Sequence, residues 1–214
     1  MHNLTIIIPL LDRPEYTKIW LKENIIDGVY YIFADGSLYD NNYEIFKNIK
    51  NKYIKYIRYS QDKNIGDFIK KMSDVSNYVK TKYVMTSDND DFLNITGIKQ
   101  CINYLDLNSD YGIASGTTLF VSEIRSKNKT KYKLSFNFAS SINLNNLQGI
   151  NGIEKFLDNT ADKTSYIWYG VYRAEVFKTT WQEMLNSNIR DGQLNELLQT
   201  CMALGNNKYK YIYC

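Results

Sequence analysis

Residues 82–91 read KYVMTSDNDD, an apolar segment that runs directly into an acidic one. The apolar half is short, which is typical of a strand buried on both faces in a parallel sheet. Asp88, Asp90 and Asp91 then place three carboxylates within four residues, and these repel one another unless a cation lies between them. Ligands of open α/β sheets bind outside the carboxyl ends of the strands. The segment therefore predicts a buried strand that ends in a cation or ligand site, with an acidic turn that caps a helix as the alternative.

Strands and helices alternate around this segment. The predicted strands are 4–10, 30–34, 53–59 and 82–86, and the predicted helices begin near Pro14 and span 43–49, 65–79 and 95–105. This order is typical of an α/β protein with a mostly parallel sheet, right-handed crossovers and helices on the faces of the sheet.

The second half of the chain is less regular. Its predicted elements are a strand or strand pair at 111–123 around Gly116, a basic loop at 125–133, strands at 134–140, 166–173 and 209–213, a loop at 143–151, and helices at 175–185 and 193–204. Because no repeat or linker interrupts the sequence, we expect one domain. The chain stops directly after a strand-like run, so we expect it to be truncated from a longer protein.

Composition restricts the class of protein. The chain has 214 residues, of which 44% are hydrophobic and 14% aromatic, and this argues against intrinsic disorder. A formal charge of +3 is too small to indicate a nucleic-acid binder. The longest nearly apolar run, 4–11, holds eight residues, whereas a membrane-spanning helix needs about 20. We therefore expect a cytoplasmic protein without a membrane span.

The rarity of histidine and cysteine limits which side chains could act as acids, bases or metal ligands. His2 is the only histidine and lies near the start of the chain, and the three cysteines are widely separated. They indicate neither a disulfide framework nor a zinc site. Carboxylates must therefore carry any acid–base or metal chemistry. The acidic cluster at 88–91 suits Mg²⁺ or Mn²⁺, which binds one or two carboxylates together with phosphate oxygens and water.

Three further polar clusters follow strands or open a helix. Pro9 to Arg13 follows the first strand, Asp35-Gly36-Ser37 follows the second, and Asn64-Ile65-Gly66 opens the helix before the acidic strand. Each cluster alone has a structural explanation as a turn or a helix cap. Because the carboxyl ends of parallel strands meet at one edge of a sheet, we expect all four clusters to lie together.

The four clusters, in this order, resemble the nucleotide-binding half of family 2 glycosyltransferases, which have the GT-A fold. The matching segments are TIIIP at 5–9, ADGS at 34–37, NIGDFIKKM at 64–72 and SDNDD at 87–91. The resemblance covers residues 4–93 best. It departs from the family pattern at Ala34, where an acid is usual, and at Lys71, where an arginine is usual.

The resemblance implies a transferase whose donor is a nucleoside diphosphate sugar, in the first instance a UDP-sugar, and whose cofactor is Mg²⁺ or Mn²⁺. It assigns nucleotide-sugar binding to Pro9, Leu10, Arg13, Asp35, Gly36, Asn64, Lys71, Asp88 and Asn89, and metal binding to Asp88 and Asp90. Asp35 is expected to contact the nucleobase. The nucleotide-sugar half would span about 1–93 and the acceptor half about 94–214, within one GT-A domain.

The family also implies the setting and the stereochemistry. It implies an inverting displacement in cell-surface polysaccharide synthesis, with a glycan or lipid-linked acceptor, in the cytoplasm or at the inner face of the membrane. Such a displacement needs a general base for the acceptor hydroxyl. The family places this base in a Glu-Asp pair that opens a late helix, and the matching pair here is Arg190-Asp191, so the resemblance implies Asp191. An aspartate directly before a helix is also a common N-cap.

Trp168 and Tyr169 are candidates for stacking on an acceptor sugar, with core packing as the alternative for at least one of them.

Two other functions stay open. A sugar nucleotidyltransferase shares the sheet and the acidic metal ligands, but it usually has a glycine-rich loop after the first strand, and residues 10–14 contain no glycine. A catalytically silent nucleotide-sugar binding module is disfavoured by the acids present at the expected strand ends.

Overall fold

The computed structural model describes residues 2–116, 118–126, 129–137, 148–151, 153–154, 167–189, 191 and 194–212. The strands are β1 (Leu4–Leu10), β2 (Tyr30–Asp35), β3 (Ile54–Arg58), β4 (Tyr83–Thr86), β5 (Tyr111–Ser115), β6 (Thr118–Ser126), β7 (Lys129–Asn137), β8 (Val171–Arg173) and β9 (Lys208–Tyr211). The helices are α1 (Pro14–Glu23), α2 (Asn41–Phe46), α3 (Ile65–Ser76), α4 (Ile95–Leu107), α5 (Ala174–Asn186) and α6 (Asn195–Gly205). No helix in these ranges is both long and apolar enough to cross a membrane.

Seven strands form one sheet in the order β3-β2-β1-β4-β8-β5-β9. β1 pairs in parallel with β2 and with β4, and β2 pairs in parallel with β3, so these four strands end at the same edge. β8 is antiparallel to β4 and β5, and β5 pairs in parallel with β9. The predicted mostly parallel sheet flanked by helices is confirmed. β6 and β7 form a separate antiparallel hairpin.

β1 is buried on both faces because its side chains alternate between two hydrophobic clusters. Ile6 and Ile8 belong to a cluster that includes Trp20 of α1, whereas Ile7 belongs to one that includes Met72 of α3. Full burial of an aliphatic side chain of this size contributes about 1.5–3 kcal/mol. A run that is apolar except at Thr5 therefore forms an interior strand of the sheet, and the core lies in two layers, one on each face of the sheet.

The second half departs from prediction in one long segment. Residues 125–133, predicted as a basic loop, contribute instead to β6 and β7 of the hairpin. Their polar composition misled the prediction, because an antiparallel ribbon outside the main sheet does not require a continuous apolar run. The strand pair predicted at 111–123 is confirmed as β5 and the first part of β6. Most of the loop predicted at 143–151 lies outside the described residues.

The strand predicted at 166–173 is shorter than expected, because the chain turns just before β8. The amide of Gly170 donates a hydrogen bond to the carbonyl of Ile167 (2.9 Å) and closes this turn. A Cβ at position 170 would lie 3.0 Å from that carbonyl oxygen, so glycine fits the tight path. The turn carries two aromatic residues to the end of β4.

Candidate functional site

A cleft of about 500 Å³ lies at the sheet edge where β1 and β4 end, beside the N-terminus of α3. Its lining includes the predicted residues Pro9, Leu10, Arg13, Asn64, Lys71, Asp88, Asn89 and Trp168. Leu11, Asp62, Lys63, Ile65 and Phe68 also line it and were not predicted. The clusters that follow β1 and β4 and open α3 therefore meet in one place, whereas Asp35, Gly36, Asp90, Tyr169 and Asp191 are not part of this lining.

The chain leaves β1 through a strained turn. Asp12 and Arg13 have φ angles of 58° and 51°. This left-handed region costs a non-glycine residue about 1–3 kcal/mol. Neighbouring side chains hold the turn: the Asp12 amide donates to Ser37 Oγ (2.7 Å), Asn42 Nδ2 donates to the Asp12 carbonyl (3.2 Å), and Asn89 Nδ2 donates to the Arg13 carbonyl (3.3 Å). These bonds tie together the ends of β1, β2 and β4, and they place Arg13 at the start of α1, where its side chain lines the cleft.

Asp35 ends β2 with its side chain fully buried. It accepts hydrogen bonds from the amide and the hydroxyl of Ser37 and from the hydroxyl of Tyr56, and Arg58 Nη1 lies 3.1 Å from its Oδ2. These donors engage both carboxylate oxygens. Asp35 therefore anchors the ends of β2 and β3 to each other, and its contact with a nucleobase stays a prediction.

A buried ion pair forms part of the cleft wall. Lys71 of α3 contacts Asp62, and only 2% and 5% of the two side chains are exposed. The Lys71 ammonium also donates to the Leu10 carbonyl (3.2 Å). Burial lowers the pKa of Lys71 and raises the pKa of Asp62, while each charge favours the ionised form of the other. Gly36 is needed beside this pair, because a Cβ there would lie 2.5 Å from Asp62 Oδ1.

The N-terminus of α3 lies at the cleft. Asn64 Oδ1 accepts hydrogen bonds from the amides of Gly66 (2.8 Å) and Asp67 (3.2 Å), so Asn64 is the N-cap of the helix. It lines the cleft together with Lys63, whose side chain is exposed. The start of a helix carries a partial positive charge that favours phosphates and other anions. This end of the cleft therefore suits an anionic ligand.

The acidic turn after β4 keeps its carboxylates in different environments. Asp88 Oδ2 accepts a hydrogen bond from the hydroxyl of Tyr169 (2.6 Å), and Asp90 Oδ2 lies 2.7 Å from Arg13 Nη1. Burial raises the pKa of Asp88, the bond from Tyr169 opposes this shift, and the charge of Asp90 adds to it. Asp91 is exposed as a residue, but desolvation of its carboxyl and the charges of Asp88 and Asp90 raise its pKa to about 6. The turn therefore concentrates negative charge that a cation would relieve.

The donor set of this turn fits a divalent cation that a phosphate helps to bind. Asp88 and Asp90 offer two carboxylates separated by one residue, and these are hard oxygen ligands of the kind that Mg²⁺ prefers. In the part of the chain that the structure describes, no group of three His, Cys, Asp or Glu side chains is arranged to hold a metal ion. Magnesium sites commonly use one or two carboxylates and take the remaining oxygens from phosphates and water.

The two aromatic residues before β8 have different surroundings. Trp168 is buried, and its ring is stacked with Phe68 at a centroid distance of 6.3 Å and lies edge-on to Trp181 at 5.6 Å. It packs in the core and also lines the cleft, so the core-packing alternative applies to Trp168. Tyr169 is half-buried and donates its hydroxyl hydrogen bond to Asp88.

Asp191 is exposed and precedes α6. Its Oδ1 accepts a hydrogen bond from the amide of Leu194 (3.0 Å). This contact is of the kind that the helix-capping alternative predicts. The role of Asp191 as a general base stays a prediction.

Phe68 and Asp62 line the cleft but were not predicted, and they differ in how far the sequence pattern could have identified them. Asn64, Phe68 and Lys71 are spaced i, i+4, i+7, which places them on one face of α3 and could have identified Phe68. Asp62 precedes the helix and has no periodicity. Its only signal is indirect, because a buried lysine requires a counter-charge.

The chain matches no protein-family model and no curated protein sequence. Its fold is similar to that of TarS from S. aureus, a glycosyltransferase. A structure of residues 1–349 of TarS superposes with a TM-score of 0.62 at 15% identity, over 99% of this chain and 60% of that one. A second TarS structure gives a TM-score of 0.58 at 14% identity, over 99% and 35%. Structural similarity at 14–15% sequence identity shows a shared fold and no more. The chain spans less than two thirds of either TarS chain.

Proposed function

We propose that the chain is a glycosyltransferase that moves a sugar from a nucleoside diphosphate donor to a hydroxyl acceptor. The observation that carries the proposal is the cleft at the carboxyl ends of β1 and β4, where the Asp88 carboxylate, two exposed cationic side chains and a helix N-terminus line one space of about 500 Å³. The likeness to the fold of TarS, which extends over 99% of this chain, supports it.

The lining of the cleft suits the two parts of such a donor. Arg13 and Lys63 favour a diphosphate, because guanidinium and ammonium groups donate charge-assisted hydrogen bonds to phosphate oxygens, and the partial positive charge at the start of α3 adds to this preference. Pro9 and Ile65 offer apolar surface for a nucleobase. Lys71 contributes indirectly, since its ammonium is engaged by Asp62.

Asp88 and Asp90 are the residues that would hold Mg²⁺ or Mn²⁺ against the diphosphate. When bound, the cation supplies Lewis-acid neutralisation of the charge that develops on the leaving diphosphate. Tyr169 orients the Asp88 carboxylate through its hydroxyl and so limits the directions in which this ligand can point.

For the acceptor side we propose Asp191 as the general base, Tyr169 and the cleft edge of Trp168 as contacts for the acceptor sugar, and inversion at the anomeric carbon. A glycan or lipid-linked acceptor in cell-surface polysaccharide synthesis fits this reaction. The donor class in the first instance is a UDP-sugar.

A donor screen tests the proposal. The chain is incubated with Mn²⁺, a panel of nucleotide sugars and glycan acceptors, and the products are read by mass spectrometry. We expect sugar transfer, or slow donor hydrolysis, with a UDP-sugar. Asp90→Ala should abolish both while leaving the circular dichroism spectrum unchanged.

Asp110→Ala is the matched control, because it removes an exposed carboxylate that pairs with Lys208 and does not line the cleft. It should turn over donor as the wild type does. Pyrophosphate exchange in place of transfer would identify a sugar nucleotidyltransferase. Donor binding without turnover by any variant would identify a silent binding module, and either result overturns the proposal.

A further inference from the structure

The carboxylate proposed to hold a metal ion already has a cationic partner within the protein. Arg13 Nη1 lies 2.7 Å from Asp90 Oδ2. The positive charge of this guanidinium repels a divalent cation from Asp90, and its hydrogen bond occupies one lone pair of Oδ2, so Arg13 competes with a metal ion for this carboxylate. Arg13 also lines the cleft in which the diphosphate is proposed to lie.

The backbone holds Arg13 close to both partners. Its carbonyl accepts a hydrogen bond from Asn89, one residue before Asp90, and Asn89 Nδ2 also donates to Thr17 of α1 (3.1 Å). The left-handed φ angles of Asp12 and Arg13 keep this segment in one specific turn. These bonds hold the backbone at the start of α1 against the acidic turn. Only the side chain of Arg13 therefore needs to move for its guanidinium to change from Asp90 to another partner.

The exposed fraction of the side chains distinguishes the Arg13–Asp90 pair from the Lys71–Asp62 pair of the cleft wall. The side chains of Arg13 and Asp90 are 51% and 39% exposed, whereas those of Lys71 and Asp62 are 2% and 5% exposed. Exposed ion pairs are weak and exchange partners at little cost, but breaking a buried pair leaves an uncompensated charge. Arg13 is therefore suited to change partners, and Lys71 is suited to stay in place.

We propose that Arg13 is an exchangeable internal cation: it neutralises Asp90 when the cleft is empty, and it moves to the diphosphate of the donor when the donor binds, which releases Asp90 for the divalent metal ion. This inference rests on the proposed function. The contact of Arg13 with Asp90 uses one nitrogen, whereas a diphosphate carries more negative charge and can accept two hydrogen bonds from a guanidinium, so the incoming diphosphate is the stronger partner. Donor and metal binding are then coupled through one side chain.

Metal titration of the protein without nucleotide tests the exchange. Mn²⁺ binding is measured by calorimetry for the wild type, Arg13→Gln and Lys63→Gln. Arg13→Gln should bind Mn²⁺ about two- to fivefold more tightly than the wild type, because its neutral side chain no longer competes for Asp90. Lys63→Gln removes the same charge from the cleft lining without touching Asp90, and it should leave the Mn²⁺ affinity unchanged.

A second titration series adds UDP. The factor by which UDP strengthens Mn²⁺ binding should be smaller in Arg13→Gln than in the wild type, since the release of Asp90 no longer contributes to it. Arg13→Lys keeps the charge but loses the planar fork. It should retain the wild-type Mn²⁺ affinity in the absence of UDP and lose part of the coupling. Circular dichroism verifies that each variant is folded.

The outcomes separate this inference from the function on which it rests. Unchanged or weaker Mn²⁺ binding in Arg13→Gln overturns the exchange, and so does equal tightening in Lys63→Gln, which would reflect general charge in the cleft. If either result occurs while the wild type still transfers sugar, the exchange alone is wrong. If the wild type binds neither Mn²⁺ nor any nucleotide sugar, both the exchange and the proposed function are wrong.

Discussion

Replacing Gly36 by alanine probes how firmly the buried ion pair is held in the cleft wall. A Cβ at this position would lie 2.5 Å from Asp62 Oδ1, which is far inside van der Waals contact. The carboxylate has little room to withdraw, because Lys71 binds it on one side and the amide of Asp62 donates to the Gly36 carbonyl (2.9 Å). The added methyl group must therefore displace buried atoms.

The magnitude follows from the two ways in which the structure can respond. If the carboxylate stays with Lys71, the methyl group overpacks the wall, which costs about 1–3 kcal/mol. If the carboxylate moves away, it leaves the Lys71 ammonium buried without a counter-charge, which costs about 3–5 kcal/mol. The protein takes the less costly response, so we expect a steric loss of about 1–3 kcal/mol in the free energy of unfolding.

Gly205→Ala provides the matched control, because a Cβ at position 205 would meet no atom within 4 Å. Neither position 36 nor position 205 has a positive φ, and at such positions alanine in place of glycine stabilises the protein by about 0.4–1 kcal/mol through the unfolded chain, so the control contains this contribution too. The difference between the two variants in urea denaturation, followed by tryptophan fluorescence and circular dichroism, therefore isolates the steric loss. A difference below about 0.5 kcal/mol would refute the claim that the wall is tightly packed.

Three further variants test the base and the buried pair. Asp191→Asn should lower kcat by a factor of about 10²–10⁴ with little change in donor affinity, since a base acts in the transition state. Asparagine can still accept the hydrogen bond from the Leu194 amide, so the start of α6 should keep its cap. Unchanged kcat in steady-state assays would place the base elsewhere. Lys71→Met should lower the free energy of unfolding, measured by urea denaturation, by about 3–5 kcal/mol, because Asp62 is left buried and charged. Adding Asp62→Asn should recover most of that loss. A double variant as unstable as the single one would show that the loss comes from packing and not from charge.

The first half of the fold was predictable because each element carries its own signal. β1 was predicted at its observed bounds, since a strand buried on both faces is apolar at nearly every position, and here Thr5 is the exception. α3 was predicted from helical periodicity and from the Asn64 N-cap, both of which are local properties. Parallel order then followed from the alternation of these elements, and with it the edge at which the polar clusters lie.

The hairpin and the partners of the buried acids were not predictable in the same way. β6 and β7 satisfy their backbone hydrogen bonds with each other, so they form without the apolar pattern by which a strand of the main sheet is recognised. Two of the partners of Asp35, Tyr56 and Arg58, are separated from it by a helix and lie on the neighbouring strand. Such contacts depend on strand register, which single residues in the sequence do not reveal.

Burial divides the acids at this edge of the sheet into two groups with different functions. Asp35 and Asp62 are buried and bonded to groups of the protein, so they maintain the positions of the strand ends and of the wall of the cleft. Asp90 is exposed and Asp88 is half-buried. The hydroxyl of Tyr169 orients Asp88, and the exposed guanidinium of Arg13 pairs with Asp90 in a contact that a ligand can replace. A ligand site needs both groups, because exchangeable groups are effective only when rigid neighbours fix their positions. Substitutions of the buried acids should therefore reduce stability and binding together, whereas substitutions of the acidic turn should reduce binding or turnover at nearly constant stability.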